Sequence, residues 1–156
     1  MMAILAIDPG NVQSAFAVWD GKQIIHCGIE ENESMRQTIE MNGDAGDMVI
    51  EMFQGFGMPV GAEVFETVYW IGRFCEVWSG AFWRVFRKDV KMHLCGSTRA
   101  KDSNIRQALI DRFGSPSTKA NPNPVYGEYK LRKDMWQAFA LAVFWWDREI
   151  KTNREP

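Results

Sequence analysis

Three acidic residues occupy positions where the sequence predicts that a strand or a helix begins or ends. Asp8 closes the first predicted strand, Glu51 lies late in the fourth, in VIEMF, and Asp134 opens the last helix, in KDMWQAFALAV. If the first and fourth strands are neighbours, Asp8 and Glu51 point to the same place, and a helix that crosses the sheet brings Asp134 there. Carboxylates packed together repel one another unless a cation lies among them. Their oxygens suit Mg²⁺ or Mn²⁺, and two such ions can activate water and stabilise the leaving oxygen of a phosphodiester.

Each of these carboxylates also has an ordinary structural interpretation. Asp8 starts the segment DPGN, which is typical of a turn, and Asp134 is favoured by the dipole at a helix N-terminus. Glu51 is compatible with an edge strand, although it interrupts an apolar run. The three residues together, in this order along the chain, favour a site.

Five apolar or alternating segments predict the strands that position these acids. The pair Asp20-Gly21 is a strong two-residue hairpin signal, so the chain is expected to open with an antiparallel meander of three strands. A short apolar segment, 90–94, is predicted to partner the fifth strand. The strands are predicted over 2–7, 13–19, 23–29, 47–53 and 82–86.

Helical spacing of apolar residues predicts helices over 34–41, 62–78, 103–113 and 133–151. In the second of these, a stripe is expected through Val64, Val68, Ile71 and Cys75, and Gly72 allows another helix to pack closely. The sequence contains no internal repeat and no linker that divides it. We therefore expect one α/β domain over 1–156.

The distribution of charge is uneven, although the formal net charge of the 156 residues is only −2. Residues 1–86 contain four basic and twelve acidic residues, whereas 87–133 contain eleven basic and four acidic ones. This asymmetry indicates a basic face beside an acidic site. A hydrophobic fraction of 46% excludes a disordered chain. No signal peptide, membrane span or cysteine pair with CxxC spacing is found, so a cytoplasmic protein with reduced thiols is expected.

The sequence resembles the RuvC-type Holliday junction resolvases of the ribonuclease H-like superfamily, especially small phage-borne versions. The first motif is shared by many ribonuclease H-like proteins, whereas VK followed by GS and a lysine at the start of a helix is more specific. The resemblance covers nearly the whole chain and rests on AIDPGNVQSAFAV (6–18), VIEMF (49–53), DVKMHLCGSTRAKDSNIRQALIDRF (89–113) and KDMWQAFALAVF (133–144).

This resemblance implies an α/β, ribonuclease H-like fold with a mixed five-stranded sheet flanked by helices. It also implies a homodimer that uses Mg²⁺, or Mn²⁺, to nick a four-way DNA junction symmetrically, in the cytoplasm of a bacterial host if the protein is phage-encoded. No small-molecule cofactor and no membrane is implied. Asp8, Glu51 and Asp134 match family metal ligands, and Lys91 and Lys101 match basic residues near the scissile phosphate.

Two positions depart from the family pattern: Ala15, where the first motif often has glycine, is expected to affect packing only, and Gln137 affects the metal site. Gln137 stands where a second metal carboxylate is usual on the last helix, three residues after Asp134 and on the same helix face. Its amide oxygen can ligate a cation, but without charge. Three outcomes follow: Gln137 binds weakly, Glu128 contributes instead, or Mn²⁺ is preferred.

The remaining DNA contacts are predicted from aromatic and basic residues. Phe56, between glycines in the loop after Glu51, is the first candidate for stacking on bases at the junction centre, and Phe53 is the second. Burial of both in the core is the alternative. The helix over 62–78 resembles the family's dimer helix. Candidates for contact with the DNA backbone are Lys88, Arg99, Arg106, Lys119, Lys130, Arg132 and Lys133.

Three functions stay open at this point. The first is a junction-resolving endonuclease in which metal-activated water attacks phosphate between Asp8, Glu51 and Asp134. The second is a broader branched-DNA or flap nuclease, or a nuclease of RNA–DNA hybrids. The third is a junction-binding module without catalysis, which Gln137 favours.

Overall fold

A mixed five-stranded sheet forms the centre of the molecule in the computed structural model, which describes residues 2–43 and 46–151. The strand order is β3-β2-β1-β4-β5. The first three strands form the predicted antiparallel meander, and β4 and β5 extend it in parallel with β1. The strands are β1 (Ala3–Asp8), β2 (Gln13–Trp19), β3 (Ile24–Glu31), β4 (Gly46–Met52) and β5 (Phe82–Phe86).

Helices cover both faces of this sheet, which explains why every residue of β1 is buried. Alternation along β1 sends Leu5 and Ile7 to the face covered by α1 and α2, and Ile4 and Ala6 to the face covered by α3, α4 and α5. The helices are α1 (Asn32–Met41), α2 (Ala62–Val77), α3 (Arg87–Cys95), α4 (Asp102–Phe113) and α5 (Met135–Trp145).

The last helix, α5, is apolar on all sides because it lies between the sheet and the other helices. All of its residues are buried, and its closest packing is against β1 and β2, where Phe139 meets Trp19 edge to face. It continues as a π-helical turn, Trp146–Lys151. Within the two ranges that the structure describes, no helix combines the length and the apolar character needed to cross a membrane.

The carboxylate of Asp147 connects the C-terminal π-helical turn to α3 and α4. Asp147 accepts two hydrogen bonds from the Arg112 guanidinium, and its Oδ2 lies 2.8 Å from His93 Nε2. Burial alone raises the pKa of Asp147, but the hydrogen bonds from Arg112 and His93 outweigh it and hold that pKa below its ordinary value.

The structure corrects the prediction for 90–94. These residues do not partner β5 but lie within α3, which begins at Arg87 directly after β5 and buries Val90. Gly96, at a φ of 72°, ends the helix in the left-handed conformation, and its N–H donates to Met92 O. The glycine was the sequence signal for this helix end.

The buried face of α2 also differs from the predicted stripe. Thr67, Ile71 and Phe74 are buried and Cys75 packs partly buried against the same core, so the predicted stripe is confirmed at Ile71 and Cys75, whereas Val64 and Val68 are only half-buried. No atom lies within 4 Å of a Cβ built on Gly72, and Phe65 and Tyr69 are exposed. The opposite face of α2 therefore presents the exposed aromatic side chains of Phe65 and Tyr69 to solvent in the single chain.

Candidate active site

Asp8 and Glu51 lie side by side at the carboxyl ends of β1 and β4. The parallel register pairs Ile7 with Ile50, so the next residue of each strand is one of the two acids. Asp8 is only 8% exposed and shares a hydrogen bond with Glu51. The strand pairing thus confirms that these two predicted site residues meet.

The environment of Asp8 disfavours its charged form. Burial is the largest cause of its raised pKa, followed by the neighbouring charge of Glu51, and Asp134 adds a smaller effect in the same direction. The positive charge of Arg87 acts against these effects without cancelling them. Such a carboxyl pair is stabilised by any cation that reaches it.

Arg87, the first residue of α3, supplies a cation at this pair. Its Nε lies 2.9 Å from Glu51 Oε1, and its Nη2 donates to Glu51 Oε2 at 3.2 Å. The same Nη2 lies 3.6 Å from Asp8 Oδ1, and Nη1 lies 3.4 Å from Asp102 Oδ1. Burial alone lowers the pKa of Arg87, but Glu51 and Asp8 raise it above its ordinary value, so the guanidinium stays charged.

Neither Arg87 nor Asp102 was singled out among the predicted site residues. Arg87 was hidden within the basic block of 87–133, and Asp102 is the first residue of α4. The sequence did contain a signal. Arg87 directly follows β5, and β5 pairs in parallel with β4, which carries Glu51 near its end.

Asp134 and Gln137 line a second pocket rather than the one at Asp8 and Glu51. The first pocket, of about 300 Å³, contains Asp8, Glu51 and Arg87, and the second, of about 290 Å³, contains Asp102 with Asp134 and Gln137. Asp134 is near enough to raise the pKa of Asp8. The ion pair of Arg87 with Asp102 joins the two pockets.

The donor chemistry of the site fits a hard divalent cation, although the arrangement in this structure is held by a guanidinium. Asp8 and Glu51 offer adjacent carboxylate oxygens in a buried place that favours positive charge. Over 2–43 and 46–151, no three His, Cys, Asp or Glu side chains are close enough together to hold a metal ion. Gln137, only 7% exposed, faces the same pocket as Asp134, whereas Glu128 is exposed and lines neither pocket.

No protein-family model matches the chain, and no curated protein matches it by sequence. Solved structures do match it. RuvC from Thermus thermophilus aligns with a TM-score of 0.63 at 14% identity, over 94% of this chain and 96% of that one. RuvC from T. thermophilus in complex with a Holliday junction substrate gives 0.62 at 14% identity over 92% of each chain. The yeast mitochondrial Holliday junction resolvase gives 0.62 at 12% identity, over 98% of this chain and 83% of that one.

The chain has the RuvC fold. This confirms the predicted α/β, ribonuclease H-like architecture with a mixed five-stranded sheet flanked by helices. The sheet order places Asp8 and Glu51 on neighbouring parallel strands, which the antiparallel meander alone does not dictate.

Three of the predicted basic residues line the two pockets of the site. Lys88 lines the pocket at Asp8 and Glu51, whereas Arg106 and Lys133 line the pocket at Asp134, where Arg106 also lies over the Trp136 ring. Lys91, on α3, is half-buried, and Lys101 directly precedes α4; among the described residues neither lines these two pockets. The predicted backbone-contact residues Lys88, Arg99, Arg106, Lys119, Lys130, Arg132 and Lys133 are all exposed.

The start of α5 shows local backbone strain. Lys133 has a φ of 48°, which side chains other than glycine adopt at a cost of about 1–2 kcal/mol. This conformation precedes Asp134 directly, and it turns the chain into the helix whose N-terminus approaches Asp8. Helix N-termini favour anions, so α3, α4 and α5 direct positive dipole ends toward the site.

The loop after Glu51 places its aromatic residues outside the core. Phe56 is 74% exposed and Phe53 is also exposed, and both line the pocket that contains Asp8 and Glu51. The alternative in which both rings are buried is therefore wrong. Met58 and Val60, farther along the loop, are exposed as well.

Proposed function

We propose that this protein is a metal-dependent endonuclease that resolves four-way DNA junctions by paired, symmetric nicks, with Mg²⁺ as the ion and Mn²⁺ as its substitute. The observation that supports it most is the buried pair of Asp8 and Glu51, neutralised by a cation at the carboxyl ends of neighbouring strands of a RuvC fold. Lys88 beside the pair, and Arg106 and Lys133 in the neighbouring pocket, provide complementary charge for DNA phosphates.

In this proposal Asp8 and Glu51 hold the divalent ion, and Asp134 approaches from α5. An ion held by these residues would supply an activated water for hydrolysis of the phosphodiester. Lys88 lines the same pocket and holds a phosphate oxygen of the cleaved strand. Lys91 and Lys101 line neither pocket, but they lie on α3 and directly before α4, and we propose that they neutralise phosphate charge when DNA binds across these helices.

Phe56 and Phe53 are proposed to contact bases at the branch point. Their rings are exposed within the same pocket as the carboxylates, so a base that stacks on Phe56 lies next to the cleaved phosphate. Stacking on an aromatic side chain contributes about 1–3 kcal/mol per base and tolerates any sequence. Unpaired or unstacked bases are available at a branch point but not within a regular duplex.

Paired nicks require two sites, and α2 is the proposed dimer surface. Phe65, Tyr69 and Gly72 form an exposed aromatic face with room beside the glycine. Sedimentation of the wild type and of Phe65→Asp tests this: we expect a dimer and a monomer, respectively. A monomeric wild type would exclude symmetric cleavage by a preformed dimer.

The decisive experiment is cleavage of a mobile four-way junction, with a flap and an RNA–DNA hybrid as competing substrates, in Mg²⁺ and Mn²⁺ in parallel. We expect Asp8→Asn to abolish cleavage and to retain junction binding, because the carboxylate serves the ion rather than the DNA. Asp111→Asn, at an exposed position of α4, is the matched control and should cleave normally. Full activity of Asp8→Asn would refute the proposal.

A second candidate function is junction binding without catalysis. It is favoured by the separation of Asp134 and Gln137 from the pocket at Asp8 and Glu51. Tight junction binding with no nicking in either metal would select it. For either function we propose that the protein acts on recombining DNA in the cytoplasm, that of a bacterial host if the protein is phage-encoded.

A further inference from the structure

Arg87 engages the carboxylate oxygens that a divalent ion requires. Nη2 donates to Glu51 Oε2, Nε lies 2.9 Å from Glu51 Oε1 as an ion pair without a hydrogen bond, and Nη2 reaches Asp8 Oδ1 as well. Both carboxylates are largely buried and adjacent, so a second cation between them lies within a few ångströms of the guanidinium. Two cations at that distance repel each other strongly in a site shielded from water.

We propose that Arg87 is a tethered counter-ion of the metal-free site, and that a divalent ion binds by displacing it from Asp8 and Glu51. This inference rests on the proposed function. The displaced guanidinium keeps a partner, because its Nη1 lies 3.4 Å from Asp102 Oδ1 at the start of α4. Asp102 is exposed and borders the pocket that contains Asp134.

Displacement toward Asp102 gives Arg87 two separate roles. In the metal-free protein it offsets the repulsion between two buried carboxylates, which would otherwise destabilise the sheet end. In the metal-bound protein it lies between the two pockets, where its planar fork matches a phosphate oxygen pair of the bound strand. Binding of the metal ion and release of the Arg87 guanidinium toward the phosphate are then coupled.

Calorimetric titration of Mn²⁺ into the full chain tests the displacement without measuring cleavage. Arg87→Met retains the aliphatic length of the side chain and removes its charge, so the ion no longer competes with a guanidinium. We expect binding at least about tenfold tighter, since tenfold corresponds to only about 1.4 kcal/mol and a contact between like charges exceeds that. Lys88→Met is the matched control, because it removes one positive charge from the same pocket and leaves the ion pair of Arg87 with Glu51 in place. It should change the affinity far less.

Thermal melting gives the second measurement. In chelator, Arg87→Met should have a lower melting temperature than the wild type, and saturating Mn²⁺ should reduce or reverse that difference. Arg87→Lys keeps a cation, so its melting temperature in chelator should lie between those of Arg87→Met and the wild type. Equal or weaker Mn²⁺ binding by Arg87→Met, or a change no larger than that of Lys88→Met, overturns the inference and leaves the proposed function intact. Absence of Mn²⁺ binding in wild type and variant alike, or binding that Asp8→Asn leaves unchanged, overturns both.

Discussion

Asp8→Asn should stabilise the metal-free protein while it removes the activity. Asp8 is 8% exposed, and burial together with the charge of Glu51 raises its pKa well above the ordinary value. Folding therefore costs stability at this carboxyl at neutral pH, and an amide of the same shape does not carry that cost. Substitutions that relieve a destabilised active site commonly contribute about 1–2 kcal/mol. For a chain of this size that corresponds to a rise in melting temperature of about 2–8 °C.

The raised pKa of Asp8 determines how the stability difference between the variant and the wild type changes with pH. A carboxyl group whose folded pKa is raised binds its proton more tightly in the folded protein than in the unfolded chain. The cost of the ionised Asp8 is thus present above the raised pKa, and it disappears as the pH falls through that value. The melting-temperature gap between Asp8→Asn and the wild type should be largest near pH 8 and close on acidification.

The assay is thermal melting in chelator from pH 8 to pH 4, followed by the same melts with Mg²⁺. The ion should stabilise the wild type and not the variant, so the difference between their melting temperatures should shrink or change sign. Asp111→Asn, at an exposed site, controls for loss of charge alone. A variant that melts below the wild type at pH 8 in chelator, or a gap independent of pH, would refute the reasoning.

Three further results are expected. Asp147→Asn should lower the free energy of unfolding by about 1–2 kcal/mol, because Arg112 and His93 hydrogen-bond the ionised carboxylate. The pKa of Asp147 is lowered, so thermal melts should show this loss at neutral pH, and the difference from the wild type should vanish as the pH falls through that pKa. Phe56→Ala should weaken junction binding about fivefold to a hundredfold in a fluorescence titration, with no change in melting temperature, and unaltered binding would contradict its stacking role. Gln137→Glu adds a carboxylate beside the site, so calorimetry should show Mn²⁺ binding about tenfold tighter, and weaker binding would exclude a role for this position in holding the ion.

The strands and the meeting of two acids could be predicted because both depend on short patterns. Apolar runs and the hairpin signal at Asp20-Gly21 indicated the meander, and strand ends placed Asp8 and Glu51 at one edge. The segment 90–94 was misassigned because a few apolar residues do not separate a strand from a helix. Its helix became recognisable from Gly96, whose position after the last turn is a C-terminal signal.

The charge arrangement of the site could not be predicted in the same way. The contact of Arg87 with Glu51 joins the start of α3 to the end of β4, and it depends on how the chain turns after β5. The placement of Asp134 depends on where the N-terminus of α5 crosses the sheet, which apolar periodicity does not specify. Long-range side-chain geometry therefore supplied what local spacing could not.

The uniformly buried helix α5 has a consequence for the order in which the molecule matures. All five strands and four of the five helices precede it in the chain, so a ribosome presents the sheet before the helix that covers it. Until then Ile4, Ala6 and Trp19 face water on one side of the sheet, a surface that chaperones recognise. Asp134 directly precedes α5, so the nascent protein gains the last of the three proposed site carboxylates together with the helix that completes its core. A chain truncated before Asp134 therefore lacks both the helix that completes the core and one of the three carboxylates of the proposed nuclease site.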